Sequence, residues 1–123
     1  MDLRALTITF NEHINSRDLD GLAALMTDDH TFIDTTGHAI RGKSQCLEAW
    51  RGFFTSFPDY RNIFDRLEVD GDRVAVVGRS SCSDVRLDGP ALWAAKVRGD
   101  KLAEWRVYED TPTNRQTLGV SPR

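Results

Sequence analysis

His30, Phe32 and Asp34 fall on alternate positions of a β-favouring stretch, so a strand from His30 to Asp34 presents all three on one face. An imidazole beside a carboxylate is a proton-transfer couple, and a carboxylate at a strand end facing a cavity can serve as a general base. The plainer role for Asp34 is a hydrogen bond to the backbone of the turn Thr35-Thr36-Gly37, and that for His30 is a half-exposed strand entrance. Glu109 and Asp110 form a second acidic site. Strand alternation puts Glu109 on the face of Trp105 and Val107 and Asp110 on the opposite face. Both stand as candidate catalytic groups, against a role as solvated strand-end charges paired with Arg106 or Arg61. Ser80 and Cys82 share an inward face but have no histidine near in sequence, which argues against a nucleophile. His13, His30 and His38 make no metal-ligand spacing with the carboxylates, so no metal is expected. Carboxylate acid/base chemistry requires no cofactor, and none is expected.

These groups need elements to hold them. Leu3, Leu6, Phe10 and Ile14 recur at helical spacing and predict a first helix. Asp18 caps a shorter second one, with Leu19, Leu22, Ala23, Leu25 and Met26 on its buried side. Ser44 is the expected cap of a third helix, whose stripe of Leu47, Trp50, Phe53, Phe54 and Phe57 runs until Pro58 forbids continuation. From Tyr60 the period becomes two. Strands are expected at about Tyr60 to Val69, Arg73 to Val85, Ala91 to Arg98 and Lys101 to Glu109, joined by short turns and hence an antiparallel meander. Residues 111–123, with Pro112 and Pro122, read as an irregular tail.

Helices, a strand, a helix and then hairpins make an α+β order, a curved antiparallel sheet with three helices packed on its concave face. One aromatic helix cannot fill a strongly bent sheet, so a ligand cavity is expected there. Phe10, Phe32, Trp50, Phe54, Tyr60, Ser80, Trp93, Trp105 and Val107 are the candidate substrate-binding lining, each with plain core as its alternative. Apolar residues on both faces of strands such as Ala75-Val76-Val77 and Leu92-Trp93-Ala94-Ala95 predict that a second copy covers the convex face as a homodimer.

The 123 residues suit a single domain over 1–123. A net charge of -3 without a basic stripe argues against nucleic-acid and anionic-membrane partners, and the expected cavity calls for a small apolar organic ligand. No apolar run reaches the roughly 20 residues of a spanning helix, and Met1-Asp2-Leu3-Arg4 lacks a secretion signal, so the expected compartment is the cytoplasm. Cys46 and Cys82 read as free thiols.

Asp18-Leu19-Asp20-Gly21-Leu22, Gly42-Lys43, Phe57-Pro58-Asp59-Tyr60, Trp105-Arg106-Val107-Tyr108-Glu109-Asp110 and Gln116-Thr117-Leu118-Gly119 stand in an order that resembles the SnoaL-like family of the nuclear transport factor 2-like superfamily. The resemblance spans about Leu3 to Gly119 and implies a cone-shaped α+β barrel that commonly dimerises. It also implies a choice among chemistries. Against ketosteroid isomerase, Asp34 matches the position of the base, but the donor tyrosine falls on Phe10 and the second aspartate on or near Trp93. Against limonene epoxide hydrolase, the catalytic positions fall on Val107, Gly78, Ser80, Phe32 and Asp34, and no charge pair survives. Against polyketide cyclases, the acid/base carboxylate falls on Glu109, with Asp110 one residue on. The implied function is a cofactor-free cyclase, isomerase or dehydratase acting on an apolar carbonyl compound. A non-catalytic binding module and a protein-interaction domain are the alternatives.

Overall fold

The computed structural model describes residues 2–121; Met1, Pro122 and Arg123, which the expected domain and tail include, lie outside them. Asp2 caps α1 (Leu3–Ser16) by accepting from the Ala5 amide at 3.1 Å, and the helix turns Leu6, Phe10 and Ile14 inward. Asp18 likewise caps α2 (Leu19–Ala24), which is shorter than its apolar pattern because Met26 already opens β1 (Met26–Ile33). β2 (Ala39–Arg41) was not foreseen; three residues are too few to show a period.

The third helix, α3 (Lys43–Ser56), starts one position before the expected cap: Gly42 is the N-cap, without a side-chain bond. Gly42 has φ 99°, a conformation costly for any residue with a Cβ, and its N–H donates to the His30 carbonyl at 2.8 Å. That bond ties the start of α3 to β1.

The remaining strands are β3 (Arg61–Asp70), β4 (Arg73–Ser81), β5 (Gly89–Arg98) and β6 (Lys101–Glu109). Residues beyond Ser81, expected as strand, instead lead to a 3-10 turn at Val85–Leu87. The sheet order is β2-β1-β6-β5-β4-β3. From β3 to β6 it is the antiparallel meander the turns predict, but β1 runs parallel to β6, with Phe32 opposite Trp105, so the sheet is mixed rather than purely antiparallel. Asp65 interrupts the β3–β4 register as a bulge. Opposite it, β4 carries Gly78, where an added Cβ would sit 2.1 Å from the Ile63 carbonyl oxygen. Only glycine lets the two backbones approach this closely and the sheet bend.

α1, α2 and α3 cover one face, and the core between them and the sheet holds Phe10, Trp93 and Trp105 with no exposed surface. Burying a side chain the size of Phe10 contributes about 1.5–3 kcal/mol. Phe10 packs on Trp105 at 4.9 Å between ring centroids, and Phe64 on Trp93 at 5.2 Å.

The tail is not irregular: it forms α4 (Pro112–Leu118). Thr111 caps it by accepting from the Asn114 amide at 3.1 Å, Pro112 occupies the first turn where its missing N–H costs nothing, and Gly119 closes it at φ 71°. Leu118 and Val120 then pack on Ala75, Leu92 and Ala94, so the chain's own C-terminal segment covers part of the convex face assigned above to a second copy. No helix among the described residues is long and apolar enough to cross a membrane.

Candidate functional site

Between α3 and the concave face lies a cavity of about 330 Å³, at the lower end of the size range of small-molecule sites. α3 contributes Cys46, Ala49, Trp50 and Phe53 to its wall. The sheet side supplies Phe32 from β1, Ile40 from β2, and Trp105 and Val107 from β6. Tyr60 and Leu87 complete the wall, and Asp34 and Thr35 lie where β1 ends. The wall is overwhelmingly apolar, and the aromatic rings brace one another: Phe53 meets Tyr60 edge-on at 4.7 Å and Trp50 at 5.8 Å. A second hollow of about 480 Å³ lies outside α4, walled by side chains such as Glu68, Asp70, Arg73 and Gln116. Its walls are mostly polar, and the smaller apolar cavity is the better ligand site.

Of the residues singled out in the sequence, Asp34, Phe32, Trp50, Tyr60, Trp105 and Val107 meet at this cavity. Phe10, Phe54, Trp93 and Ser80 lie behind the wall as buried residues of the concave side. Phe54 receives Arg17 over its ring at 5.6 Å. Ile40, Cys46, Phe53 and Leu87 join the wall in addition. Phe53 was visible as part of the aromatic stripe, whereas Ile40 and Leu87 sit in elements too short to leave a periodic signal.

The carboxylates differ sharply. Asp34 accepts from the Thr36 hydroxyl at 2.7 Å, the Thr36 amide at 2.9 Å and the His38 amide at 3.0 Å, all on Oδ1. The Thr36 hydroxyl, followed by the two amides, holds its pKa below the ordinary carboxylate value, so Asp34 is ionised at neutral pH and a weak base. The turn role and the cavity-edge position therefore coexist in one residue. Asp110 accepts from Arg115 through both oxygens, at 2.6 and 2.9 Å, and this buried fork ties the end of β6 to α4. Glu109 is exposed and pairs across the sheet with Ala91, on the Trp105 face but beyond the cavity wall.

His30 is fully buried rather than half-exposed at the strand entrance. Its ring lies 2.7 Å from the Leu102 carbonyl through Nδ1; a carbonyl can only accept, so Nδ1 carries the proton and Nε2 is the lone-pair nitrogen, without a partner. Burial pushes its pKa down and keeps it neutral. It stands against Phe10 at 5.8 Å, behind the wall and not beside Asp34 at the cavity edge. Both cysteines are free thiols. Cys46 donates to the His30 and Ile40 carbonyls at 3.4 Å each, and burial raises its pKa, so it is a structural thiol. Among the described residues no group of His, Cys, Asp and Glu is arranged to hold a metal ion.

A family model described as the SnoaL-like domain matches residues 8–110. Among solved structures, a candidate polyketide cyclase from Sinorhizobium meliloti superposes with a TM-score of 0.77 at 15% identity, covering 87% of this chain and 99% of that one. An uncharacterised cystatin-fold protein from Novosphingobium aromaticivorans gives 0.77 at 18% identity, covering 89% and 99%. IdmH, a candidate polyketide cyclase from Streptomyces antibioticus, gives 0.75 at 20% identity, covering 98% and 100%. At these identities the likeness is one of fold. No curated protein matches the sequence.

Proposed function

The chain belongs to the SnoaL-like domain family, and on that premise we propose that its cavity binds an apolar carbonyl compound and that Asp34 acts on it as a cofactor-free acid/base in a cyclisation, isomerisation or dehydration. The observation that carries this is the position of Asp34: it is the carboxylate among the residues lining an otherwise apolar cavity. Ionised and held by its turn, it can take a proton from carbon and return it elsewhere on the same molecule. A base of lowered pKa matches a carbon acid already activated by flanking carbonyls, as in a 1,3-dicarbonyl unit. The likeness to candidate polyketide cyclases supports the same class of substrate.

Asp34→Asn keeps Oδ1 as acceptor for the turn and removes the base. Assayed over a panel of 1,3-dicarbonyl aromatics, it is expected to lower kcat by about 10²–10⁴ with the fold intact. Equal turnover by wild type and variant would sink the proposal. A second reading, binding without turnover, is favoured by the three hydrogen bonds that weaken Asp34 as a base. It predicts that panel members bind and none is converted.

Homodimerisation through the convex face belongs to the proposal as well. Val77 and Tyr108 are partly exposed beside the patch that α4 covers, and this supports a second copy there. Sedimentation at micromolar concentration tests it, with a monomer as the contrary outcome.

A further inference from the structure

Behind the cavity wall runs a chain of buried polar side chains whose direction is set by one backbone carbonyl. Asn11 and Asn15 both donate from Nδ2 to the Asn62 carbonyl, at 3.3 and 2.9 Å. With its NH₂ thus committed, Asn11 offers Oδ1 to the Asn62 Nδ2 at 3.2 Å. Asn62 then has only Oδ1 left to turn toward Ser80, whose hydroxyl donates to it at 2.9 Å. A serine has one proton. Ser80 Oγ must therefore accept at its 3.2 Å contact with the Tyr60 hydroxyl, and Tyr60 gives its proton inward. Reversing any link would leave a buried acceptor unpaired, at a cost of about 1–3 kcal/mol.

Tyr60 belongs to the cavity wall, and its phenol oxygen, with its proton given away, keeps a lone pair for a ligand that reaches it. The other wall groups agree with it. Asp34 is ionised and accepts only; Cys46 spends its proton on backbone carbonyls; the indole N–H groups of Trp50 and Trp105 have no protein partner but are sealed from the cavity, without exposed surface. Thr35 sits at the exposed rim. We propose that Tyr60 is a specificity-determining residue which, its proton committed to Ser80, accepts a hydrogen bond from the ligand and selects a hydroxylated or enolic aromatic compound over one bearing only carbonyl or ether oxygens. Ser80, Asn62 and Asn11 are its positioning residues. Burial also holds the phenol of Tyr60 in its neutral form. The inference rests on the small-molecule reading of the cavity and narrows it.

The test uses the full chain and two probes of similar shape, 2-naphthol and 2-methoxynaphthalene, with dissociation constants from equilibrium dialysis. Tyr60→Phe is expected to lower the preference for 2-naphthol over 2-methoxynaphthalene by about three- to tenfold, the worth of one hydrogen bond, while binding of the ether stays within about twofold. A preference unchanged by Tyr60→Phe overturns the inference and leaves the cavity reading standing. Failure of both probes to bind the wild type overturns the cavity reading and this inference with it. The double variant Ser80→Ala/Asn62→Leu provides an independent readout should Tyr60→Phe not fold: it removes both side chains within reach of the Tyr60 proton, so the preference must shift toward the ether, and a preference that stays or rises refutes the direction of the chain.

Discussion

On the concave face Phe10, Trp93 and Trp105 are fully buried, yet a cavity remains between the sheet and α3; on the convex face Leu118 and Val120 close directly onto Ala75, Leu92 and Ala94. The difference lies in side-chain size and curvature. Large flat rings on a bent surface touch a single helix at a few points and keep it away, whereas alanines let a short helix sit down on the strands. The concave side thus gives up packing for an apolar container, and the convex side packs its apolar residues and leaves only a polar groove beside α4. The polar groups divide likewise: Asn11, Asn62, Ser80 and Tyr60 form a buried relay on the concave side, while the convex side is pinned by the Asp110–Arg115 fork.

Substitutions should separate the two faces. Trp93→Ala removes one of the two fully buried indoles of the concave core and is expected to cost about 3–5 kcal/mol in urea unfolding. Leu118→Ala, at the centre of the convex contact, should cost about 2–3 kcal/mol and leave probe binding in the cavity unchanged; altered binding would mean the two faces are coupled. Gly78→Ala, which drives a Cβ against the Ile63 carbonyl at the bend, should destabilise by about 1–3 kcal/mol and weaken probe binding, because cavity shape depends on sheet curvature.

Between pH 7 and 5 a titration reports on the concave side through His30. His30 has its folded-state pKa lowered by burial, so the unfolded chain binds the proton more readily and stability falls as pH drops below the ordinary histidine value of 6.5. The loss can reach about 1.4 kcal/mol per pH unit. His30→Asn keeps a donor toward the Leu102 carbonyl and should flatten the unfolding midpoint between pH 7 and 5 relative to wild type. The smallest effect belongs to Glu109→Gln, expected within about 0.5 kcal/mol by thermal unfolding because the side chain is exposed.

The concave side was the more legible in sequence, because α1 and α3 carry sustained helical periods and β3 to β6 are separated by turn residues that fix their hairpins. What escaped was set by contacts distant in sequence or by single residues. The pairing of β1 with β6 joins segments with most of the chain between them, and nothing local in either announces a parallel neighbour. α4 did have local signals in Thr111, Pro112 and Gly119, but two prolines in a short segment read as a break when Pro112 is in fact a first-turn residue. The cavity residues Ile40 and Leu87 occupy elements of three residues each, below the length at which a pattern exists. Asp34 was visible as both a turn residue and a candidate base; its hydrogen bonds bear out the turn role, and it lies at the cavity edge.

The parallel partnership of β1 and β6 also sets a timetable. During synthesis α1, α2, β1 and α3 leave the ribosome long before β6, and until Leu102 and Trp105 emerge, His30 has no carbonyl for its Nδ1 and Phe10 no indole to pack on. The first half of the nascent chain therefore waits with its apolar faces open, folding slowly in the manner of a topology rich in long-range contacts. Its yield in the cell should depend on how well chaperones shelter that half until the last strand arrives to complete the middle of the sheet.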